Sequence, residues 1–241
     1  MARKVSYKFK IVSFGKFVFA LCRTNLKAAY ALMHRNEDKG MIKVIVFDIG
    51  NVLAPFLWED CLREHGFSEE MTQKIGAATV NNKLWRELDR SDEFTEELIE
   101  QFVVQAPEIA SEIRQFLGFS ETAVREYDYS TELIDRLKEN GYKVYLLSNY
   151  SGRNFRYALD NFEFIRHADG RVVSYEVGYV KPEPGIFKAL INKYGFDPKE
   201  ALFLDDMKSN ITAAEKEGFH TIHFTGLKEA LERMRSLQIR I

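Results

Sequence analysis

The chain of 241 residues has only two cysteines, Cys22 and Cys61, and neither belongs to a CxxC or a Cys/His cluster. That argues against a zinc site or a disulfide framework, and so low a count suits a reducing cytoplasm, the expected location. No long apolar run is present. The most apolar stretch near the start, Ile11–Cys22 (IVSFGKFVFALC), is interrupted by Lys16 and is shorter than the roughly 20 residues that span a bilayer. It also lacks the lysine-free core and small-x-small site of a secretory signal. Neither secretion nor stable membrane insertion is expected. There is little net charge, −2, with 46% hydrophobic and 29% charged residues, an ordinary soluble composition. No internal repeat or low-complexity segment appears.

The charge is unevenly spread. Residues 1–40 carry nine Lys/Arg against two acids, leaving 25 basic and 34 acidic residues in the body. This basic arm is read as a poorly ordered extension. An interfacial segment is the alternative, because its basic residues alternate with Phe9, Phe14, Phe17 and Phe19. Nucleic-acid binding is not expected. The length suits one core domain with a smaller insertion, and a monomer is the default.

The body begins with Val44–Leu53, VIVFDIGNVL. Its short apolar run reads as a strand buried on both faces, ending in Asp48 and stopped by Pro55. From Trp58 to about Leu117 the apolar spacing is helical, with Ser68 and Thr95 as helix starts. Trp85 and Arg86 are candidates to face a substrate; packing of Trp85 inside the helical block is the plainer reading. Strands then alternate with helices: Tyr142–Leu147, Val172–Val173, Ala201–Leu204 and His220–Phe224 read as strands. Ser130 or Thr131 is the expected cap of the helix that ends at Gly141. The fold class is therefore α/β: a Rossmann-like parallel sheet flanked by helices, built from 41–56 and 129–241, with an all-α cap subdomain at 57–128.

Ligands of open α/β sheets bind at the carboxyl ends of the strands. Asp48, Ser148 and Asp205-Asp206 stand at three such ends, and Lys181 sits in a loop before a helix begun by Pro184. Adjacent carboxylates repel unless a cation or hydrogen bonds neutralise them. With no histidine or cysteine in the set, Mg²⁺ is the natural ion. Lys181 and Ser148 beside it suggest a phosphate site, to which the helix start after Ser148 can add backbone N–H groups. Aspartate is a competent nucleophile toward phosphorus.

At these four places the sequence resembles the haloacid dehalogenase-like hydrolase superfamily, in the subgroup with a helical cap after the first motif. VIVFDIGNVL is similar to its first motif, LLSNYS to the second, VGYVKPEPGIF to the third and LFLDDMKSNITAAEKEGF to the fourth. The resemblance covers 42–241. It implies a phosphatase working through an aspartyl-phosphate on a small phosphorylated metabolite, with a sugar phosphate preferred. Asp48 and Lys181 would be catalytic. Ser148, Asn149 and Lys181 would bind phosphate. Asp48, Gly50 (through its carbonyl), Asp205 and Asp206 would hold Mg²⁺. One departure stands out: Gly50 occupies the position where phosphatases of this family usually carry a second aspartate, and Asn51 or water are the stand-ins. The FDxGNV form resembles sugar-phosphate phosphatases and the N-terminal domain of soluble epoxide hydrolases. A 2-haloacid dehalogenase, or a weakly catalytic sensor of a phosphometabolite, are the alternatives.

Overall fold

The computed structural model describes residues 41–241, and the reading of the basic arm lies outside the described residues. Five short strands make one sheet: β1 (Val44–Phe47), β2 (Lys143–Ser148), β3 (Gly170–Val173), β4 (Ala201–Asp205) and β5 (His220–His223). Their order is β3-β2-β1-β4-β5, and every pairing is parallel. The alternating apolar residues explain why β1 is central. Ile45 and Phe47 enter one core cluster together with Val144, Leu146, Leu202 and Leu204. Val44 and Val46 enter a second, with Tyr145, Leu147, Ala201 and Phe203. The period of two puts apolar side chains on both faces, so both must be covered.

The segment after β1 opens with five α-helices: α1 (Trp58–Glu64), α2 (Glu69–Ala78), α3 (Trp85–Arg90), α4 (Glu96–Val103) and α5 (Ala110–Phe119). They have a core of their own, centred on Leu62, Ile75, Leu88, Phe102, Ile113 and Phe116. Ser68 and Thr95 do start helices, their hydroxyls each accepting a backbone N–H at 3.3 Å. After α6 (Ser130–Glu139) the strands alternate with helices. α7 (Gly152–Asn161) and α8 (Glu163–His167) follow β2; α9 (Ser174–Val177) and α10 (Pro184–Tyr194) follow β3; α11 (Lys208–Lys216) and α12 (Leu227–Ser236) follow β4 and β5. α6, α7, α8 and α12 cover one face of the sheet, while α10 and α11 cover the other. Among the described residues no helix is long and apolar enough to cross a membrane.

Two local readings are corrected. The strand stops pairing at Phe47, well before Pro55, because the chain folds back at once: the N–H groups of Leu53 and Ala54 both donate to Ile49 O at 2.9 Å. Ser130 does not cap α6. Its hydroxyl donates to Leu53 O at 2.6 Å, and the Tyr129 hydroxyl donates to Val52 O at 2.5 Å. Both side chains are spent on pinning the turn that follows Asp48.

The helical layer touches the sheet domain at the start of α7. Ser91 O accepts the Gly152 N–H at 2.9 Å and Asp92 O accepts that of Arg153 at 2.8 Å. A Cβ on Gly152 would stand 2.8 Å from Asp92 O and 2.9 Å from Asp92 Cα. Those are backbone atoms that cannot swing aside. Gly152→Ala is expected to destabilise by about 1–3 kcal/mol, the usual range for overpacking, read as a lower urea midpoint with the slope unchanged.

Candidate active site

Parallel pairing lays the carboxyl ends of β2, β1 and β4 side by side, and each leads into a polar residue. Ser148 Oγ donates to Asp48 Oδ1 at 3.1 Å. Lys181, carried by the loop between α9 and α10, places Nζ 2.7 Å from Asp48 Oδ1 and 2.8 Å from Asp205 Oδ2. Asp48, Lys181 and Asp205 are all buried. With Asp206, the Asp48 and Asp205 carboxylates bring oxygens within 4.8 Å of one another. Gly50 also lines this mouth. A Cβ built on it would meet nothing within 4 Å, so packing does not demand glycine there.

Buried charges require partners. Asp205 Oδ1 accepts the Met207 N–H at 2.8 Å, and Asn210 Nδ2 donates to both Asp205 oxygens at 3.0 and 3.1 Å. Asp48 Oδ1 also accepts the Ile49 N–H at 2.7 Å. Asn51, at φ 56°, is held from two sides: Nδ2 donates to Asp206 Oδ2 at 2.9 Å, and Oδ1 accepts the Phe56 N–H at 3.0 Å. These bonds use one of the two N–H donors of its amide.

The electrostatics are short of positive charge. Burial raises the Asp48 carboxyl well above the ordinary aspartate range; Lys181 opposes this and Asp205 adds to it. Burial raises Asp206 too, against the hydrogen bond from Asn51. Burial alone would lower Lys181, but Asp205 and Asp48 outweigh it and hold the ammonium above its usual value. Three carboxylates around one ammonium, all of them oxygen donors, fit a hard divalent cation such as Mg²⁺. A bound cation would reverse the upward push on these acids.

The residues that follow Ser148 make bonds within the fold. Asn149 Oδ1 accepts the Lys181 N–H at 2.7 Å and Nδ2 donates to Lys181 O at 3.0 Å. Its amide therefore positions the lysine backbone. The start of α7 offers no free N–H from its first three residues: Gly152 and Arg153 are taken by the helical layer, and Asn154 donates to Ser151 Oγ at 3.3 Å.

Above the acids lies a cavity of about 810 Å³, walled on the helical side by Phe56, Trp85, Arg86 and Asp89. Trp85 serves both readings. It lines the cavity and stacks on Phe116 with centroids 6.2 Å apart. Asp89 escaped the sequence reading. In the string WRELDR it looks like any solvated acid on a helix, and nothing in its spacing ties it to Asp48. Burial pushes its carboxyl up to about 7, against Lys181, Arg86 and Arg90.

A profile of the haloacid dehalogenase-like hydrolases matches residues 42–218. The chain belongs to this family. Among curated members it is 31% identical to the D-ribitol-5-phosphate phosphatase of Bacteroides thetaiotaomicron, over 75% of this chain and 91% of that one. It is 25% identical to the sesquiterpene phosphatase astK of Aspergillus oryzae, over 81% and 96%. It is also 27% identical to mouse acyl-CoA dehydrogenase family member 10, over 81% of this chain but spanning only 19% of that protein. In fold it resembles a haloacid dehalogenase-family enzyme from B. thetaiotaomicron crystallised with magnesium and inorganic phosphate, with a TM-score of 0.58 at 23% identity, covering 75% and 93% of the two chains.

The raised carboxyl of Asp89 has a consequence for stability. A group that binds its proton more tightly when folded costs stability as pH climbs from its unfolded to its folded value. The protein is therefore expected to lose stability relative to Asp89→Asn between about pH 4 and pH 7, with a constant gap above that. Thermal melts in EDTA across this range read it; a gap that does not vary with pH would return Asp89 to the ordinary aspartate range.

Proposed function

We propose that the protein is a Mg²⁺-dependent phosphatase of small phosphate monoesters, with Asp48 as nucleophile. The observation that carries this reading is the arrangement around Asp48: a hydroxyl at 3.1 Å, an ammonium at 2.7 Å, and two further acids whose oxygens lie within 4.8 Å of its own. The family and its phosphatase members support it. Asp48, Asp205, Asp206 and the Gly50 carbonyl would hold Mg²⁺. The ion would supply charge neutralisation, easing the approach of a carboxylate to an anionic ester.

Asp48 attacks phosphorus, the ester P–O bond breaks, and the leaving oxygen departs as an alcohol once it gains a proton. Ser148 donates its hydroxyl, and Lys181 its ammonium, to the phosphoryl oxygens. Asn149 keeps Lys181 in place. Water then attacks the aspartyl-phosphate, releasing phosphate and restoring the carboxylate. Gly50 supplies no acid, and general acid help is worth about 10²–10⁴ in rate. Good leaving groups are favoured accordingly. The paired acids Asp205 and Asp206 weigh against dehalogenation, which has no need of a bound cation.

Phosphate release from a panel of phosphate esters is expected with Mg²⁺ and not with EDTA. Asp48→Asn should lower it by at least about 10³, as loss of a nucleophile does. Turnover that persists in the variant would dismiss Asp48 as nucleophile. Halide release from 2-chloropropionate without metal would instead favour the dehalogenase.

A further inference from the structure

With Gly50 unable to give a proton, the leaving oxygen must find one elsewhere. In the in-line displacement that Asp48 begins, that oxygen departs on the far side of phosphorus, toward the helical wall of the cavity. Among the described residues lining the cavity there is no histidine. Lys181 is held between Asp48 and Asp205. The Tyr150 hydroxyl is closed off from solvent. Glu87 has a 53% exposed side chain that lies 3.6 Å from the Arg90 guanidinium. The Asn51 amide can donate a hydrogen bond but has no acidic proton. Asp89 differs from all of these. It is half-buried and lines the cavity. Among the described residues no hydrogen bond holds its carboxylate, and the carboxylate oxygens are not closed off as the Tyr150 hydroxyl is.

The backbone around Asp89 is fixed to the loops that carry Ser148 and Lys181. Ser174 Oγ donates to Asp89 O at 2.5 Å and accepts the Tyr150 N–H at 2.9 Å, two residues beyond Ser148. The next residue, Arg90, pairs with Glu183 at 2.5 Å, and Glu183 accepts the Val180 N–H at 3.1 Å, beside Lys181. Ser91 O and Asp92 O accept the N–H groups of Gly152 and Arg153. Four successive residues are thus anchored around the phosphate end of the site, while the Asp89 carboxyl itself is left without a partner. The cations that face it, Lys181, Arg86 and Arg90, all favour its ionised form, yet burial outweighs them and raises it to about 7. The Tyr150 hydroxyl senses the charges of both Asp89 and Asp48, so the two acids face one region. A carboxyl raised this far is partly protonated near neutrality, where an ordinary aspartate is ionised, and proton transfer is most effective from a group that titrates near the working pH.

We propose that Asp89, carried by α3 of the helical layer, is the general acid that protonates the leaving oxygen, in place of the side chain missing at Gly50. This rests on the phosphatase reading and adds a catalytic residue to it. As Asp48 bonds to phosphorus, the electron pair of the ester P–O bond passes to the leaving oxygen. That oxygen takes the proton of the Asp89 carboxyl and departs as an alcohol. In the second step water bonds to phosphorus, the bond to Asp48 breaks, and the Asp89 carboxylate accepts a proton from that water. The carboxyl is restored, and ester plus water has become alcohol plus phosphate. The preference for good leaving groups that Gly50 imposes is thereby weakened, and becomes steep only when Asp89 is removed.

The test uses the full chain with Mg²⁺ and two esters. One is p-nitrophenyl phosphate, whose leaving group departs as an anion; the other is the best alkyl ester of the panel above, whose alkoxide needs a proton. Asp89→Asn keeps the shape of the side chain and removes its acid. It is expected to lower kcat/KM for the alkyl ester by about 10²–10⁴, and for the nitrophenyl ester by less than about threefold. Asp89→Ser should show the same selective loss, which guards against a fault peculiar to the amide. In the wild type, kcat/KM for the alkyl ester should fall as pH rises through about 7, because the acid must carry its proton, and that limb should be absent from Asp89→Asn. Equal losses for the two esters overturn the proposal, since a residue that only shapes the cavity affects both. No loss for the alkyl ester, or a basic limb that survives the substitution, overturns it as well. Wild-type turnover of the nitrophenyl ester alone removes the acid and leaves the phosphatase reading standing, whereas turnover of neither ester removes both.

Discussion

Lys181 is an ammonium with almost no water around it, 2% exposed and set between two buried carboxylates. Breaking a buried ion pair by removing one partner costs far more than an exposed pair ever contributes. The local architecture is consistent with that constraint. Asn149 clamps the Lys181 backbone by two hydrogen bonds. Asn210 and the Met207 N–H take up the remaining demand of Asp205. The turn after Asp48 is pinned from outside by Tyr129 and Ser130. β1 lies between β2 and β4 in the sheet, and their ends set Ser148 and Asp205 on either side of Asp48.

The net charge of the cluster is what turns a structural ion pair into a candidate site. One lysine cannot neutralise Asp48, Asp205 and Asp206, and burial pushes both Asp48 and Asp206 toward their protonated forms. Perturbed acids of this kind cluster at functional sites. A second raised acid, Asp89, faces the same cavity from the helical layer. It is not part of the group of three acids gathered around Asp48.

The sheet was legible because its strands are short apolar runs broken by glycine and polar residues, and a two-sided parallel sheet needs nothing else. Asp48, Ser148 and Asp205 were legible as strand ends. The roles of neighbours were not. Ser130 looked like a cap and proved to be a tie to Leu53, because a hydroxyl at a helix start has two possible partners and tertiary contact chooses between them. The start of α7 looked open to an anion, yet the carbonyls of Ser91 and Asp92 already occupy it, a contact made by residues some sixty positions earlier. Asp89 was invisible for the same reason. Sequence spacing reports which residues share an element, whereas this site is assembled from elements that meet only in space.

The helical layer and the sheet domain have separate cores, and polar groups make much of their contact. Arg90 on α3 pairs with Glu183 at 2.5 Å and donates to Gly178 O at 2.9 Å; Arg156 on α7 pairs with Asp92 at 2.6 Å and with Glu93. Partly exposed ion pairs contribute only about 0–1 kcal/mol each, so these links add many small terms where a shared core would add a few large ones. Glu183 makes the arrangement more than a seat. The carboxylate that holds Arg90 also accepts the Val180 N–H at 3.1 Å, one residue before Lys181. The helix that carries Asp89 is thus tied, through a single glutamate, to the loop that carries the lysine. Asp89 and Lys181 each stand one residue along the chain from an end of that link, next to Arg90 and Val180.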